Sequence, residues 1–166
     1  MAKTVDVQKH KEMYLNFIDS KHTAVLNFVN EEGKPFSSII PFVKKDNKLY
    51  IYISEVADHY RLTERSEFID VMIHADESET KNAFATERVR LLCTPKKLGN
   101  EGHEEIFELF NTSFNKNLMD MLRGLDFSLF ELDPIEGRYV VGFGLAFDLT
   151  IDGETFNHVV VDKSKA

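Results

Sequence analysis

The sequence contains a single cysteine, so no disulfide can form within the chain. It lacks any apolar run approaching the ~20 residues that a bilayer-spanning helix needs. The N-terminal residues 1–10 also lack the apolar core of a signal peptide. These absences predict a cytoplasmic protein that does not enter a membrane, in keeping with a reducing compartment.

Positive charge is scarce as well. The 20 lysine and arginine residues are outnumbered by 28 aspartate and glutamate residues, which gives a net charge of −8. Nucleic-acid binding needs clustered cations that displace counterions, so this balance argues against DNA or RNA as a partner. The length of 166 residues and a hydrophobic content of 43% predict one globular domain over residues 1–166.

What the sequence does contain is a series of short, strand-like apolar segments. They predict a mainly β fold, a small β-barrel with strands within residues 22–98 and 126–161. An N-terminal helix is expected at 1–20, a helical insertion at 101–123, and a short helix at 55–66 with Ser54 as its N-cap. The predicted strands cover residues 22–29, 36–43, 49–54, 68–74, 87–94, 127–132, 138–149 and 155–161.

Two glycines interrupt one of these predicted strands. Gly142 and Gly144 lie inside the 138–149 run, which a Pro/Gly turn at 133–137 would join to the preceding strand. Glycine weakens a strand interior and is tolerated where the strand bulges or where a ligand comes close. The pattern therefore predicts a bulge or a close approach at this position.

Charged side chains supply two candidate anion sites. Ser54, His59 and Arg61 lie at the start of a predicted helix, whose free N–H groups suit a phosphate or carboxylate. An ordinary capped surface helix is the alternative. Arg88 and Arg90 alternate along one strand and share a face, where two guanidinium groups suit an anion. Internal salt bridges are the alternative there.

Two further residues could serve a cofactor. Asp126, just before a Phe-rich strand, could orient a histidine or hold a water, or could simply make a junction hydrogen bond. His158 could ligate iron or face solvent on a strand. The other histidines show no zinc-binding spacing.

Several motifs taken together resemble a known family. They are Leu49–His59, Ala75–Glu79, Phe84–Arg90, Asp126–Phe130 and Gly137–Ala146. Their order and spacing resemble the bacterial haem-utilisation proteins, the HugZ/HutZ-type haem oxygenases, within the pyridoxamine-5′-phosphate-oxidase-like, FMN-binding split-barrel superfamily. The resemblance covers roughly residues 10–160.

The resemblance implies a six-stranded antiparallel split β-barrel of Greek-key type, paired as a homodimer with the cofactor at the subunit interface. In the flavin-binding relatives, residues on the early strands and the following helix hold the FMN phosphate, and a later strand also lines the site. In this chain they are Ser38, Ser54, His59, Arg61, Arg88 and Arg90.

In the haem branch, the resemblance implies that Asp126 supports the iron ligand and that Arg88 lies near the haem. These two are the catalytic candidates. Gly142 and Gly144 would line the cofactor. The family's ligand is a histidine in the C-terminal tail, which residues 162–166 lack, so His158 is the nearest candidate.

The function implied is haem binding at the dimer interface, with oxidative breakdown of the haem. An FMN-dependent oxidoreductase and a non-catalytic haem or flavin carrier are the alternatives. Haem is slightly favoured over FMN.

Overall fold

The computed structural model describes residues 3–162 and 164. Within them the chain forms four α-helices, nine β-strands and two short 3₁₀ turns. The helices are α1 (Val7–Asp19), α2 (Asp58–Arg65), α3 (Glu104–Ser113) and α4 (Lys116–Arg123). The strands are β1 (Thr23–Val29), β2 (Pro35–Pro41), β3 (Val43–Lys45), β4 (Lys48–Ser54), β5 (Ile69–His74), β6 (Arg88–Gly99), β7 (Phe127–Gly142), β8 (Leu145–Leu149) and β9 (Phe156–His158). The 3₁₀ turns are Glu77–Glu79 and Ala83–Ala85.

The strands form one antiparallel sheet in the order β2-β1-β5-β6-β7-β4-β3, and β8 and β9 extend it from β7. Strands β2 and β3 stand at opposite ends of this order, yet only Phe42 separates them along the chain. The bent β2–β3 segment therefore closes the sheet into a barrel. Counted as one strand, it brings the barrel to the six strands expected, and the mainly β prediction is confirmed.

The core follows from the period-two alternation of the strands, because every second side chain faces inward. Ile53, Val71 and Val89 are fully or almost fully buried inside the barrel. Helix α1 covers the core with Tyr14, whose hydroxyl donates a hydrogen bond to the Ile151 carbonyl at 2.6 Å. A second apolar cluster lies between β4 and the α3–α4 insertion.

The helical insertion differs from its prediction as one helix over 101–123. It is two helices, because Asn115 caps a new one: its side chain accepts a hydrogen bond from the Leu118 N–H at 3.0 Å. Within the described part of the chain, no helix has the length and apolar character needed to cross a bilayer.

The predicted turn at 133–137 is also wrong. Strand β7 runs straight through it and keeps its pairing with β6, with a bulge where Cys93 meets Pro134. The turn comes later, at Phe143–Gly144, where Gly144 has a positive φ of 69°. Gly142 ends β7, so this pair of glycines forms a hairpin turn instead of lying inside a strand.

Candidate functional site

Three arginines lie together on the outer face of the sheet. Arg90 pairs directly with Arg138 across β6 and β7, and Arg88 lies two residues before Arg90 on the same face. They line a shallow cavity of about 310 Å³ whose other walls are Met72, Val140 and Ala146. Sequence reasoning missed Arg138, because its position opposite Arg90 depends on the long-range register of β6 and β7.

The three guanidinium groups differ in their partners. Arg90 Nε lies 3.4 Å from an Asp70 carboxylate oxygen, and Arg138 Nε lies 2.9 Å from one of Asp148. Arg88 donates to the Thr86 carbonyl at 2.8 Å, and within residues 3–162 it forms no salt bridge. Arg88 therefore offers a positive charge, beside apolar walls, that no carboxylate of the described chain neutralises.

Burial also affects the carboxylate nearest to Arg90. It raises the pKa of Asp70, while Arg90 and a hydrogen bond from Asn27 act in the opposite direction. Burial therefore disfavours the charged form of Asp70, the form that pairs with Arg90.

Ser54 and Asp126 meet where β4 and β7 end their pairing. The Ser54 hydroxyl lies 3.1 and 3.0 Å from the two Asp126 carboxylate oxygens, and the Glu55 N–H donates to the Asp126 carbonyl at 2.8 Å. Ser54 is not the N-cap of α2, as expected from the sequence; Ala57 holds that position without a side-chain hydrogen bond. The register pairs Ser54 with Phe127, which places Asp126 beside the serine.

Ser38 and His59 form a second polar contact, with 2.9 Å between the serine Oγ and the histidine Nδ1. Burial lowers the pKa of His59, and the nearby Asp58 opposes this shift. Burial therefore favours the neutral imidazole, which offers no fixed charge to a phosphate.

Arg61, the remaining residue of the predicted phosphate cradle, is already paired. It forms a salt bridge with Glu31 and lies 3.5 Å from an Asp58 oxygen. The hydrogen bond from Arg61 lowers the pKa of Glu31. The region around the start of α2 thus holds carboxylates next to its cation, which disfavours an anionic ligand.

Gly144 and His158 are neighbours at the β7–β8 turn. His158 Nε2 lies 2.8 Å from the Gly144 carbonyl oxygen, and its ring lies 5.3 Å from that of Phe147. A carbonyl only accepts, so Nε2 is the donor in this hydrogen bond. No group of three or more possible metal-ligating side chains occurs among the described residues.

Asp126 and His158 lie near opposite ends of β7. Asp126 precedes its first residue, whereas His158 pairs with Phe147, which pairs with Tyr139 near the other end. At about 3.3 Å per residue, roughly 40 Å of strand lies between these points. One chain alone does not bring this acid and this histidine together.

Known proteins share both the sequence and the architecture. No protein-family model matches the chain. It is 29% identical over 140 residues to the haem oxygenase HutZ of Vibrio cholerae, covering 82% of this chain and 78% of HutZ. The resemblance to the haem-utilisation split-barrel proteins is confirmed.

Solved structures agree with this relationship. Campylobacter jejuni ChuZ has a TM-score of 0.83 at 28% identity, over 95% of this chain but 64% of ChuZ, so the chain spans less than two thirds of that relative. The HutZ structure, described as a haem storage protein, has a TM-score of 0.71 at 26% identity, over 84% of this chain and 98% of HutZ.

The fold extends to more distant proteins. A Clostridium acetobutylicum protein of the pyridoxinephosphate oxidase family has a TM-score of 0.67 at 14% identity, over 89% of this chain and 98% of that protein. At this identity the likeness concerns the fold alone, and it confirms the split-barrel architecture.

Proposed function

We propose that this protein binds haem on the outer face of its barrel and acts in haem utilisation. The observation that carries the proposal is Arg88, a partly buried cation without a salt bridge in the described chain, at the edge of an apolar cavity. The similarity to HutZ, a haem oxygenase and haem storage protein, supports the same choice of ligand.

The residues of this cavity fit the chemistry of haem. A porphyrin has a flat apolar surface and two propionates at one edge. Met72, Val140 and Ala146 supply apolar contact, and Arg88 supplies a planar donor for a carboxylate. Bound haem would supply dioxygen activation, while these side chains bind and orient it.

The proposed state is a homodimer with the haem between the subunits. Apolar side chains on the outer faces of β1 and β2 support this: Val29 is 60% and Ile39 67% exposed. The separation of Asp126 from His158 within one chain supports it as well, because Asp126 would then act on haem held by the other copy. Asp126 would accept hydrogen bonds there, as it does from Ser54.

FMN is the less favoured ligand. Its phosphate would lie among Ser38, Ser54, His59 and Arg61. In the structure, Arg61 is bound by carboxylates, Ser54 donates to Asp126, and burial lowers the pKa of His59, which favours its neutral form. These arrangements oppose a phosphate, whereas the cavity at Arg88 has a cation to offer.

Absorption spectroscopy tests the proposal. Purified protein is titrated with haemin and, separately, with FMN, and sedimentation equilibrium gives the oligomeric state. We expect a Soret band that saturates at one haem per subunit of a dimer, and no flavin bands after gel filtration. Retained flavin bands, or a Soret band without saturation, would contradict haem as the ligand.

A further inference from the structure

A cavity of about 700 Å³ lies between α1 and the segment that joins β5 to β6. It has more than twice the volume of the cavity beside Arg88, and its size is usual for a small-molecule site. Its apolar walls are formed by Met13 and Phe17 of α1, Ala85 of the joining segment and Val141 near the end of β7. These side chains offer contact to the apolar body of a ligand.

Glu87 contributes a carboxylate to the same cavity. It lies two residues before Val89, which is fully buried inside the barrel, so the period of two places both side chains on the inner face. The Ala75 N–H donates to the Glu87 carbonyl at 2.9 Å, which extends the pairing of β5 and β6 to this residue. The paired backbone therefore fixes the position of an acidic group at the end of an apolar interior.

No cation of the described chain forms a salt bridge with Glu87. Lys21 acts on it electrostatically, but the Lys21 ammonium is bound by Glu79 at 2.7 Å. The buried Tyr139 hydroxyl lies beside Glu87 without the distance and alignment of a full hydrogen bond. Burial raises the pKa of Glu87, so its loss of hydration outweighs these neighbours. A partly buried carboxylate in this state gains most from a cation.

The other charges of the cavity leave this position to a ligand. Lys21 and Glu79 neutralise each other, and Lys81 is exposed to solvent at the rim. The net charge of −8 also favours the approach of a cation over that of an anion. An organic cation fits better than a metal ion, because no group of three metal-ligating side chains occurs among residues 3–162 and 164.

We propose that this cavity binds a small organic amine, whose ammonium group contacts the Glu87 carboxylate and whose apolar body packs against Phe17 and Val141. The ammonium brings three hydrogen-bond donors and the charge that Glu87 lacks within the chain. The site is separate from the proposed haem site. Glu87 and Arg88 are consecutive residues with side chains on opposite faces, so the amine occupies the inner side and the haem the outer face.

Calorimetric titration with benzylamine, which is protonated at pH 7, tests the proposal. Benzyl alcohol has the same ring without the charge, and we expect the wild type to bind it about tenfold more weakly. Glu87→Gln should weaken benzylamine binding by about tenfold and leave benzyl alcohol within about twofold. The matched control is Glu77→Gln, an exposed acid of the first 3₁₀ turn that does not line the cavity. It removes the same charge and should leave both affinities within about twofold.

A second variant and a second measurement locate the site. Ala85→Phe places a ring in the cavity and should weaken benzylamine binding at least as much as Glu87→Gln does. Backbone NMR shifts caused by benzylamine should centre on Phe17, Ala85 and Val141, and circular dichroism should confirm that both variants fold. Equal affinities for benzylamine and benzyl alcohol, benzylamine binding that Glu87→Gln does not weaken, or shifts centred elsewhere would each overturn the proposal. The haemin titration tests the other cavity and is unaffected by these outcomes.

Discussion

Arg61 and Arg88 carry the same guanidinium group, and both belong to motifs that predicted an anion site. Arg61, on α2, is held by Glu31 and Asp58. Arg88, on β6, lies beside apolar side chains and donates to a backbone carbonyl. Whether an arginine can serve a ligand is thus decided by the carboxylates that the fold brings to it.

The largest expected effect comes from removing each arginine in turn. Arg88→Ala should weaken haemin binding by about tenfold to a hundredfold, the range for losing a charged hydrogen bond. Arg61→Ala should leave binding within about twofold, since an exposed paired charge contributes little. Arg88→Lys should lie between, because lysine keeps the charge but not the planar fork. The measurement is the Soret titration. Equal losses of haemin affinity for Arg61→Ala and Arg88→Ala would show that the two arginines do not differ in their availability to the ligand.

Removing the carboxylates that pair with Arg61 should reduce the difference between Arg61 and Arg88. The double variant Glu31→Gln/Asp58→Asn should bind inorganic phosphate roughly threefold more tightly than the wild type, because the cation loses its internal partners. Backbone NMR shifts around His59 would report the binding. Adding Arg61→Ala to the double variant is the control and should abolish the gain; a gain that persists would show that another group binds the phosphate.

The stability of the protein should depend on pH in opposite directions through Glu31, the partner of Arg61, and Asp70, the partner of Arg90. Arg61 lowers the pKa of Glu31, so its contribution to stability is present above the unfolded-state pKa and is lost as the pH falls through the lowered value. Burial raises the pKa of Asp70, so the folded protein loses stability as the pH rises from the unfolded-state pKa through the raised value.

Urea unfolding between about pH 3 and 7 measures both effects, since carboxylates titrate in this range. Glu31→Gln should remove a loss of stability at the acid end. Asp70→Asn should remove a decline with rising pH. Glu101→Gln, an exposed loop residue, is the control and should leave the profile unchanged. If Glu31→Gln and Asp70→Asn changed the pH dependence of the stability in the same direction, the causes assigned to the two pKa shifts would be wrong.

The smallest effect concerns the stability that Arg61 contributes. Its salt bridges are exposed to solvent and to screening ions, so Arg61→Ala should change the urea midpoint no more than Lys116→Ala does. Lys116 pairs with Asp120 on the surface of α4 and is a matched exposed pair. A clearly larger loss for Arg61→Ala would show that its pairs stabilise the α2 region.

Local patterns predicted much of the sheet but misplaced the turn of the β7–β8 hairpin. Pro134 and Gly137 are ordinary turn signals, yet both lie within β7. Between its pairing with β4, which ends at Leu132, and its pairing with β8, which begins at Gly137, β7 has a neighbour only on the β6 side. Proline is tolerated in that gap. Glycine suits the position just after this gap, because a Cβ on Gly137 would lie 2.7 Å from Leu91 Cδ2 and the leucine side chain would have to shift.

The candidate site was predictable to a similar extent. Period-two alternation correctly placed Arg88 and Arg90 on one face. The addition of Arg138 and His74 to that face depends on how β5, β6 and β7 are aligned. Ser54 and Asp126 were each recognised separately, but their contact joins residues far apart in the chain.

The sequence by itself determined the mainly β class, the approximate positions of most strands and the resemblance to the haem-utilisation proteins. These properties depend on local periodicity and on the order of motifs, which the chain carries directly. Only the tertiary structure decided which arginine forms no salt bridge within the described residues, which histidine lies opposite it and where the β7–β8 hairpin turns. Those outcomes depend on strand register and on carboxylates from distant segments, and both arise only when the barrel closes.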